Sequence, residues 1–504
     1  MKKSIILLLF LFLSGSYFDV FAQSTESIIN TVNELTNNGK FEEAQIILER
    51  CHRQNPKDFK ITVLCGQIAY VNKKYDVFMN MYTEAMELKP TNHSIKLDYA
   101  KMLFDINELD IAYPLLIEYL KYNPDNIEAL LDKAKIDKFN EDYFAAGSAL
   151  STLLGKDPTN LEARELQYEV SILKSKWAKL SAFYISNSQP FDMIMPVLEG
   201  GIYFGPLTSP KIKLSPILFQ RNTGSNVNVY RVQVENRSFF KEFGIGMDAG
   251  AGLIMFPGTQ FDATAKIKFD KFAERYILLS LGGERKPYFG SQFSIDAAMI
   301  VHSAFSSLEL ITKESWNGKG YIETTFFDGI ENPVTTASAS LLAPRLKWKD
   351  FDFKLGYGIN FSSSKLDKFV SDKSNAEIIS AGNSIPIFTG SYYPYYTPKN
   401  QLVNSVIFVL GFVPSKETKI SLNASYGFIA EAEKPFYFRE TNIIGDVYVS
   451  KSYQSVKYHP TEVSFALNSY ITPKIEANVN FDYSENFFYI TRSLSLGVKV
   501  NFSK

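Results

Sequence analysis

The sequence predicts a two-domain protein, an all-α helical-repeat solenoid followed by an antiparallel transmembrane β-barrel of about 16 strands. Three observations carry that expectation. Prolines recur every 34 residues through the first third of the chain, the helical period gives way near Trp177 to period-two alternation, and the closing stretch KIEANVNFDYSENFFYITRSLSLGVKVNFSK holds two strands with one apolar and one polar face each. Ile475, Ala477, Val479, Phe481 and Tyr483 share one parity against Glu476, Asn478, Asn480 and Asp482, and Leu494, Leu496, Val498, Val500 and Phe502 share another against Ser493, Ser495, Gly497, Lys499 and Asn501. A chain of 504 residues is also too long for one ordinary core.

In chain order, residues 1–22 read as a signal peptide: Lys2 and Lys3 precede an apolar run from Ile5 to Leu13, and Val20 and Ala22 place small residues before a cut at Gln23. The apolar run is too short to span a bilayer well. The residue after the cut is Gln23 rather than a cysteine, which excludes a lipoprotein signal, and the mature protein is expected outside the cytoplasm. The formal net charge of −1 offers no electrostatic footprint for nucleic acid. The aromatic content of 14% is high and lies mostly after residue 180, so the second domain has to account for it.

Residues 23–176 form the expected periplasmic repeat domain. Pro56, Pro90, Pro124 and Pro158 stand 34 residues apart in NPKD, KPTN, NPDN and DPTN, each preceded twelve residues earlier by Ala44, Phe78, Ala112 or Ala146. Proline cannot continue a helix, and the Asn or Asp beside it starts a turn into the next one. Gly66, Ala100 and Ala134 let the first helix of each pair approach its neighbour. The pattern resembles the tetratricopeptide repeat, with about four repeats and a capping helix in NLEARELQYEVSILKSKWAKL. Such repeats dock a partner segment on a concave surface; a rigid spacer with no ligand is the alternative. Cys51 and Cys65 read as core residues, with a bridge between adjacent helices as the other possibility.

Residues 177–504 form the expected barrel. FDATAKIKFD puts Phe261, Ala263, Ala265, Ile267 and Phe269 on one face and Asp262, Thr264, Lys266, Lys268 and Asp270 on the other, and FDFKLGYGINF and KISLNASYGF repeat the device. Apolar faces toward lipid and polar faces toward a wet lumen suit strands of about 9 to 11 tilted residues with aromatic girdles. Only a closed barrel satisfies every backbone group there. A secreted chain of this kind belongs in a Gram-negative outer membrane, and a last strand with Phe502 near the carboxyl end resembles the sorting signature of such barrels. Between 16 and 18 alternating segments can be traced, with sixteen strands expected and 14 or 18 open. SSKLDKFVSDKSNAEIISAGNS and EAEKPFYFRETNIIGDVYVSKSYQSVKYHP read as extracellular loops or lumen plugs.

Three ordered blocks add a family resemblance. NPVTTASASLLAP, from Asn332, is similar to the PVTDSxLSYAG stretch of the cellulose synthase operon protein C family. GSYYPYYTPKNQLVNSVIFVLGF, from Gly390, resembles that family's GxGGYFSPQxYxSxSLPV, and ISLNASYGFIAEAEKPFYF parallels the strand that follows. The resemblance implies a periplasmic repeat scaffold joined to a 16-stranded barrel that passes a glucan chain outward, in transport that serves cellulose biosynthesis or a related polysaccharide export. It also implies outer-membrane lipid, polysaccharide cargo, and periplasmic or inner-membrane synthase components as partners. Thr336 and Lys399 replace the family's Asp and Gln, and the family carries many more than four repeats, which puts the cargo in doubt and leaves the architecture.

Enzyme chemistry is not expected. The barrel segment holds His302 and His459, His302 has Ala304 rather than a nucleophile on its own face, and G-x-S-x-G, H-E-x-x-H, phosphate-loop and zinc-spacing motifs are absent from the sequence. No catalytic residue, cofactor or metal ligand is therefore assigned. The candidate glycan-path or loop aromatics are Tyr392, Tyr393, Tyr395 and Tyr396, with a girdle role as the alternative. The candidate lumen residues are Asp262, Lys266, Lys268, Asp352, Lys354, Glu476, Asp482 and Lys499, whose mixed signs suit neutral or zwitterionic cargo. The functional expectation is an outer-membrane export pore for an exopolysaccharide whose repeats dock biosynthetic partners. The alternative is a non-conducting outer-membrane scaffold or surface-display protein.

Overall fold

A computed structural model describes residues 25–188, 191–221, 225–273, 277–310, 316–327, 331–382 and 385–502; the expected signal peptide lies outside them. Among the described residues nine helices precede the first strand: α1 (Thr25–Asn37), α2 (Phe41–Gln54), α3 (Phe59–Val71), α4 (Tyr75–Leu88), α5 (His93–Asp105), α6 (Leu109–Tyr122), α7 (Ile127–Phe139), α8 (Tyr143–Lys156) and α9 (Leu161–Leu173). The 34-residue period reaches individual backbone atoms. Asp58, Asn92, Asn126 and Asn160 each cap a helix, their side chains accepting from the N–H of Ile61, Ser94, Ala129 and Ala163 at 2.9–3.2 Å. The turn inside each pair places Gly39, Lys73, Asn107 or Glu141 at φ between 56° and 73°. Only the glycine avoids the Cβ clash there, of order 1–2 kcal/mol.

Ala44, Phe78, Ala112 and Ala146 are fully buried. A Cβ on Gly66 would lie 2.8 Å from the Tyr82 ring, which itself stacks on Tyr99 with centroids 5.0 Å apart. Gly66 is thus the residue that admits an aromatic core between successive pairs. Cys51 and Cys65 are free thiols, and Cys65 is buried beside the Gln45 amide. This helical part fits a tetratricopeptide-like arrangement.

Among the described residues sixteen strands close the second part. In chain order they are β1 (Trp177–Asn187), β2 (Phe191–Gly201), β3 (Ser209–Arg221), β4 (Val227–Phe240), β5 (Ile245–Phe256), β6 (Gln260–Ala273), β7 (Ile277–Pro287), β8 (Ile300–Leu310), β9 (Asn317–Phe327), β10 (Asn332–Leu342), β11 (Phe351–Ser364), β12 (Gln401–Ser415), β13 (Thr418–Thr441), β14 (Thr461–Thr472), β15 (Ile475–Glu485) and β16 (Ile490–Asn501). The sheet has eighteen strands; Leu346–Trp348 and Val447–Tyr458 each pair with one neighbour, and the remaining sixteen form an antiparallel circuit. β16 pairs with β1 from Trp177↔Asn501 to Asn187↔Thr491, so the circuit has no free edge. Short turns such as 416–417 and 473–474 lie at the end that carries Trp177 and Asn501, the near end. The longer insertions, 288–299 and the described residues of 365–400, lie at the far end.

Register assigns the faces. Leu180, Leu198, Val232, Leu281, Leu355 and Leu496 are exposed and point outward, while their sequence neighbours of the other parity point inward. Among the described residues no helix is long and apolar enough to cross a membrane.

The expected fold class needs correction. An all-α domain ending at residue 176 and a purely β second domain do not describe the packing: Asp137–Ser151 and everything from Thr159 onward belong to the compact unit that contains the strands. The reason is a set of contacts at the near rim. The Arg237 guanidinium binds Glu141 at 2.8 Å, Asp270 at 2.6 Å and Asp248 at 3.3 Å, and Tyr203 Oη accepts from the Tyr143 N–H at 3.0 Å. Gly246 leaves the room, since a Cβ there would sit 2.2 Å from Arg237 Nη2. Further helices enter the same unit at Gln292–Asp296 and Asn375–Ser380. A two-part helix-then-barrel layout remains. The stretch from Glu431 to Pro460, read as a loop, is instead a tall hairpin in which the upper half of β13 pairs with Val447–Tyr458.

Burial pushes the Asp132 carboxyl on α7 up to about 6, so the folded state holds that proton more tightly than the unfolded chain. Its contribution to stability therefore declines as pH rises from about 4, the ordinary value, toward that folded value. Asp132→Asn should flatten this part of the pH–stability curve, as measured by urea unfolding followed by circular dichroism. On the outer face, Leu496→Arg should cost about 2–4 kcal/mol in a bilayer. Lys499→Gln, which removes an ammonium 5.1 Å from the Trp177 ring, should cost about 1 kcal/mol or less. Equal losses in a lipid-vesicle folding titration would overturn the facing.

Candidate functional site

The inward face changes character around the barrel. From β2 to β5 its far half is apolar: Phe191, Met193, Ile217, Phe219, Val229 and Ile254 are buried, although they point into the lumen. They are covered by segment 288–299, whose Ile295 is fully buried among them and whose Phe289 meets Phe219 at 5.1 Å. Ser291 caps the Gln292–Asp296 helix in a reciprocal box with Ser294. The sequence signal for this patch was available: FDMIMPVLE and SPILFQ are apolar on both parities, which a strand between lipid and water does not require.

A second segment, 365–400, joins the first. Tyr395 is fully buried and stacks on Phe327 with centroids 3.9 Å apart, and Tyr288 meets the other side of Phe327 edge-on at 5.0 Å. Asn332, fully buried at the start of β10, donates to Tyr395 Oη at 3.0 Å and to the Leu366 carbonyl, and accepts from the Leu366 N–H at 2.7 Å. Ser291 Oγ donates to the Pro394 carbonyl, tying the two segments together. The tall hairpin holds the outer side: Lys451 reaches the Phe369 carbonyl at 2.7 Å and Asp367 at 2.9 Å, and Tyr437 Oη donates to the Phe369 carbonyl at 2.9 Å. These contacts make a plug in the far mouth.

Beneath the plug lies a cavity of about 840 Å3 lined by residues of β7 to β14 and of the plug. Its wall mixes hydroxyl and amide side chains, among them Thr336, Ser338, Asn360, Ser362, Asn423 and Ser425, with apolar ones such as Val301, Phe327, Val403 and Ile407. Tyr396 and Tyr489 close it from above. Burial pushes the phenols of Tyr288, Tyr392 and Tyr396 upward, so all three stay neutral.

The four candidate tyrosines separate. Tyr396 lines the cavity and stacks on Phe488; Tyr392 and Tyr395 are core residues of the plug; Tyr393 is exposed and packs edge-on against Phe293. The eight candidate lumen charges occupy the inward parity by register, yet none lines the cavity. Asp262 pairs with Arg285, Lys266 with Glu284 and Asp352 with Arg345; Glu476 and Lys499 are cross-strand neighbours; Asp482 accepts from Ser493. Lys268 lies opposite Asp248 and Gly282, and Lys354 opposite Val409. The charged residues that do line the cavity are Lys286, Lys319, Glu323 and Glu462, and Lys286 bridges Glu284 at 3.1 Å and Glu323 at 3.4 Å.

No known family model matches the sequence, and no curated protein matches it. Among solved structures, one described as a bacterial polysaccharide outer membrane secretin is similar over 65% of this chain and 99% of its own, at 10% identity and a TM-score of 0.45. A tetratricopeptide repeat protein from Parabacteroides merdae is similar over 30% of this chain and 60% of its own, at 20% identity and a TM-score of 0.29. YrrB, a tetratricopeptide repeat protein with an unusual peptide-binding site, covers 29% of this chain at 18% identity and a TM-score of 0.27. At scores under 0.5 these likenesses say nothing of function.

Asn332→Leu keeps the volume but strands the groups that Asn332 satisfies, at a cost of about 1–3 kcal/mol. The plug should then open before the barrel unfolds. Protease cleavage within 365–400, at an unchanged barrel melting temperature, would show this.

Proposed function

We propose that the protein is an outer-membrane conduit for export of a polysaccharide, with its helical part on the periplasmic side docking biosynthetic or export partners. One observation carries the reading: a closed circuit of sixteen strands with an exposed apolar outer face encloses a cavity, lined by both polar and apolar side chains, that is covered by a plug rather than filled by side chains. A bilayer is the environment that makes such an outer face favourable, because closure leaves no backbone group unpaired in lipid. A lumen of this size admits water and solutes.

The three blocks that resemble the cellulose synthase operon protein C family support the polysaccharide part of the reading. They fall on β10, on the plug-to-β12 segment and on β13, all of which contribute to the cavity wall. An exopolysaccharide, a cellulose-like glucan or a related polymer, is the cargo class this resemblance implies. The role is a passage and not a catalyst.

The plug in the far mouth favours a second reading, a scaffold that never conducts. Two measurements separate them. A strain lacking the protein should stop displaying one surface polymer while still making its precursor. The reconstituted full chain carrying Tyr395→Ala and Asn332→Ala should conduct ions more than the parent does. Unchanged surface glycan in the deletion strain, by linkage analysis of the extracellular fraction, would favour the scaffold.

A further inference from the structure

We propose that the tall hairpin and the outer part of the plug, residues 367–382 and 385–392, form one rigid lid that swings on a joint built into β13. The motion follows from packing alone, whether or not a polymer passes. β13 runs for 24 residues but changes partner on the way. Thr418–Tyr426 pair with β14, Ala430–Thr441 pair with Val447–Tyr458, and between them three residues, 427–429, face two, 459–460. The ladder to β12 slips at the same level, where Ser405 pairs with Gly427 and Asn404 with Ile429, leaving Phe428 over. Pro460 has no N–H to give, and the Gly427 carbonyl is met instead by the His459 ring, with Nδ1 at 3.0 Å. The Gly427 N–H donates to the Pro460 carbonyl at 2.8 Å, and a Cβ on Gly427 would lie 2.6 Å from the Pro460 ring. A bulge and a proline at one height let a strand bend there.

Above the joint, plug and hairpin are one sheet. Ile387 and Tyr437 exchange both backbone hydrogen bonds, at 2.8 and 3.0 Å, which adds a strand to the hairpin edge that β12 occupies lower down. Phe369–Ser371 pairs in turn with Gly390–Tyr392, the Phe388 ring packs on Phe436 at 5.2 Å, and Lys434 lies over Phe388 at 5.3 Å. The ties from this body to the wall lie close to the joint: the β12 ladder continues past it for two pairs, Val403↔Ala430 and Leu402↔Glu431, and the Glu433 N–H donates to the Lys399 carbonyl at 3.1 Å. The chain on either side of the lid is pinned, since Asn332 holds both Leu366 and Tyr395. At the lid's inner end Tyr392 meets Phe488 edge-on at 4.7 Å and Tyr396 at 4.8 Å. Tyr396 lines the cavity, so a swing of the lid is felt at its roof. The cavity also reaches Lys319 and Ser340, each two residues from the near end of its strand, so the far closure is what a passage has to open.

Two measurements on the full chain in lipid vesicles test the lid. Hydrogen exchange, followed by mass spectrometry, should be about tenfold faster in 427–433 than in either 418–426 or 436–441, because a swinging lid opens the joint and keeps its own ladder. Protection that falls steadily from Tyr426 to Thr441 would mean a fraying hairpin and would overturn the lid. The second measurement locks it, in a chain with Cys51→Ala and Cys65→Ala. Paired residues on neighbouring strands stand about 4.5–5.5 Å apart at Cα, which a disulfide spans. Leu402→Cys with Glu431→Cys joins wall to lid, and its oxidation should slow exchange in 427–433 about tenfold, reversibly with reductant. Ile387→Cys with Tyr437→Cys joins lid to lid, and its oxidation should leave that exchange within about twofold of the reduced form. Unchanged exchange under the first bridge, or equal slowing under both, would overturn the rigid body. Unchanged surface glycan in the deletion strain would remove the export reading and leave the lid, since exchange reads the motion and not the cargo.

Discussion

The pairing of β1 with β16 is the interaction on which the rest depends. Eleven residue pairs, from Trp177↔Asn501 to Asn187↔Thr491, join parts of the chain about 300 residues apart. An open sheet with this outer face would leave a row of amide groups unpaired beside exposed Leu180, Leu496 and Val498, which lipid does not tolerate and water would turn into an aggregation edge. Closure also converts a period-two pattern into an inside and an outside. Every inward residue is then confined in one enclosed volume, and its chemistry becomes a matter of what shares that volume.

The confined volume is divided unequally. Segment 288–299 finds an apolar seat on β2 to β5, and segment 365–400 is held by Asn332, by the Phe327–Tyr395 stack and by Lys451 from the tall hairpin. Both seats lie at the far end. The near rim is engaged differently, by Glu141 and Tyr143 from the helical stretch against Arg237 and Tyr203. One mouth is therefore closed by aromatic packing and the other is bordered by a charged cluster. The cavity of mixed lining lies below the aromatic closure.

How much of this was legible in the chain follows from the range of the forces involved. The helical repeats and strand faces were readable because caps, turn residues and alternation act over a few residues: Pro56 to Pro158 and Asp58 to Asn160 recur in register, and Val479, Phe481 and Leu494 fall on the outward parity. The plug seat left a trace, the double-sided apolarity of β2 and β3, whose meaning depends on a segment about 70 to 100 residues further on. Mixed inward charge was also visible, but its partners come from adjacent strands, and Lys266 or Asp262 cannot be told from a cavity-lining lysine by parity alone.

By itself the sequence determined the helical period, the change of grammar near Trp177, and which parity of each strand is greasy, because each follows from local sterics and from burial along a single element. Tertiary structure alone decided that Asp137–Ser151 packs with the strands, that Tyr392 and Tyr395 become plug core while Tyr396 reaches the cavity and Tyr393 the surface, and that Lys286, Lys319, Glu323 and Glu462 line the cavity. Those outcomes depend on where long insertions fold back across a closed barrel. No periodicity encodes such a return, since it is set by the shape and chemistry of a wall assembled from strands far apart in the chain.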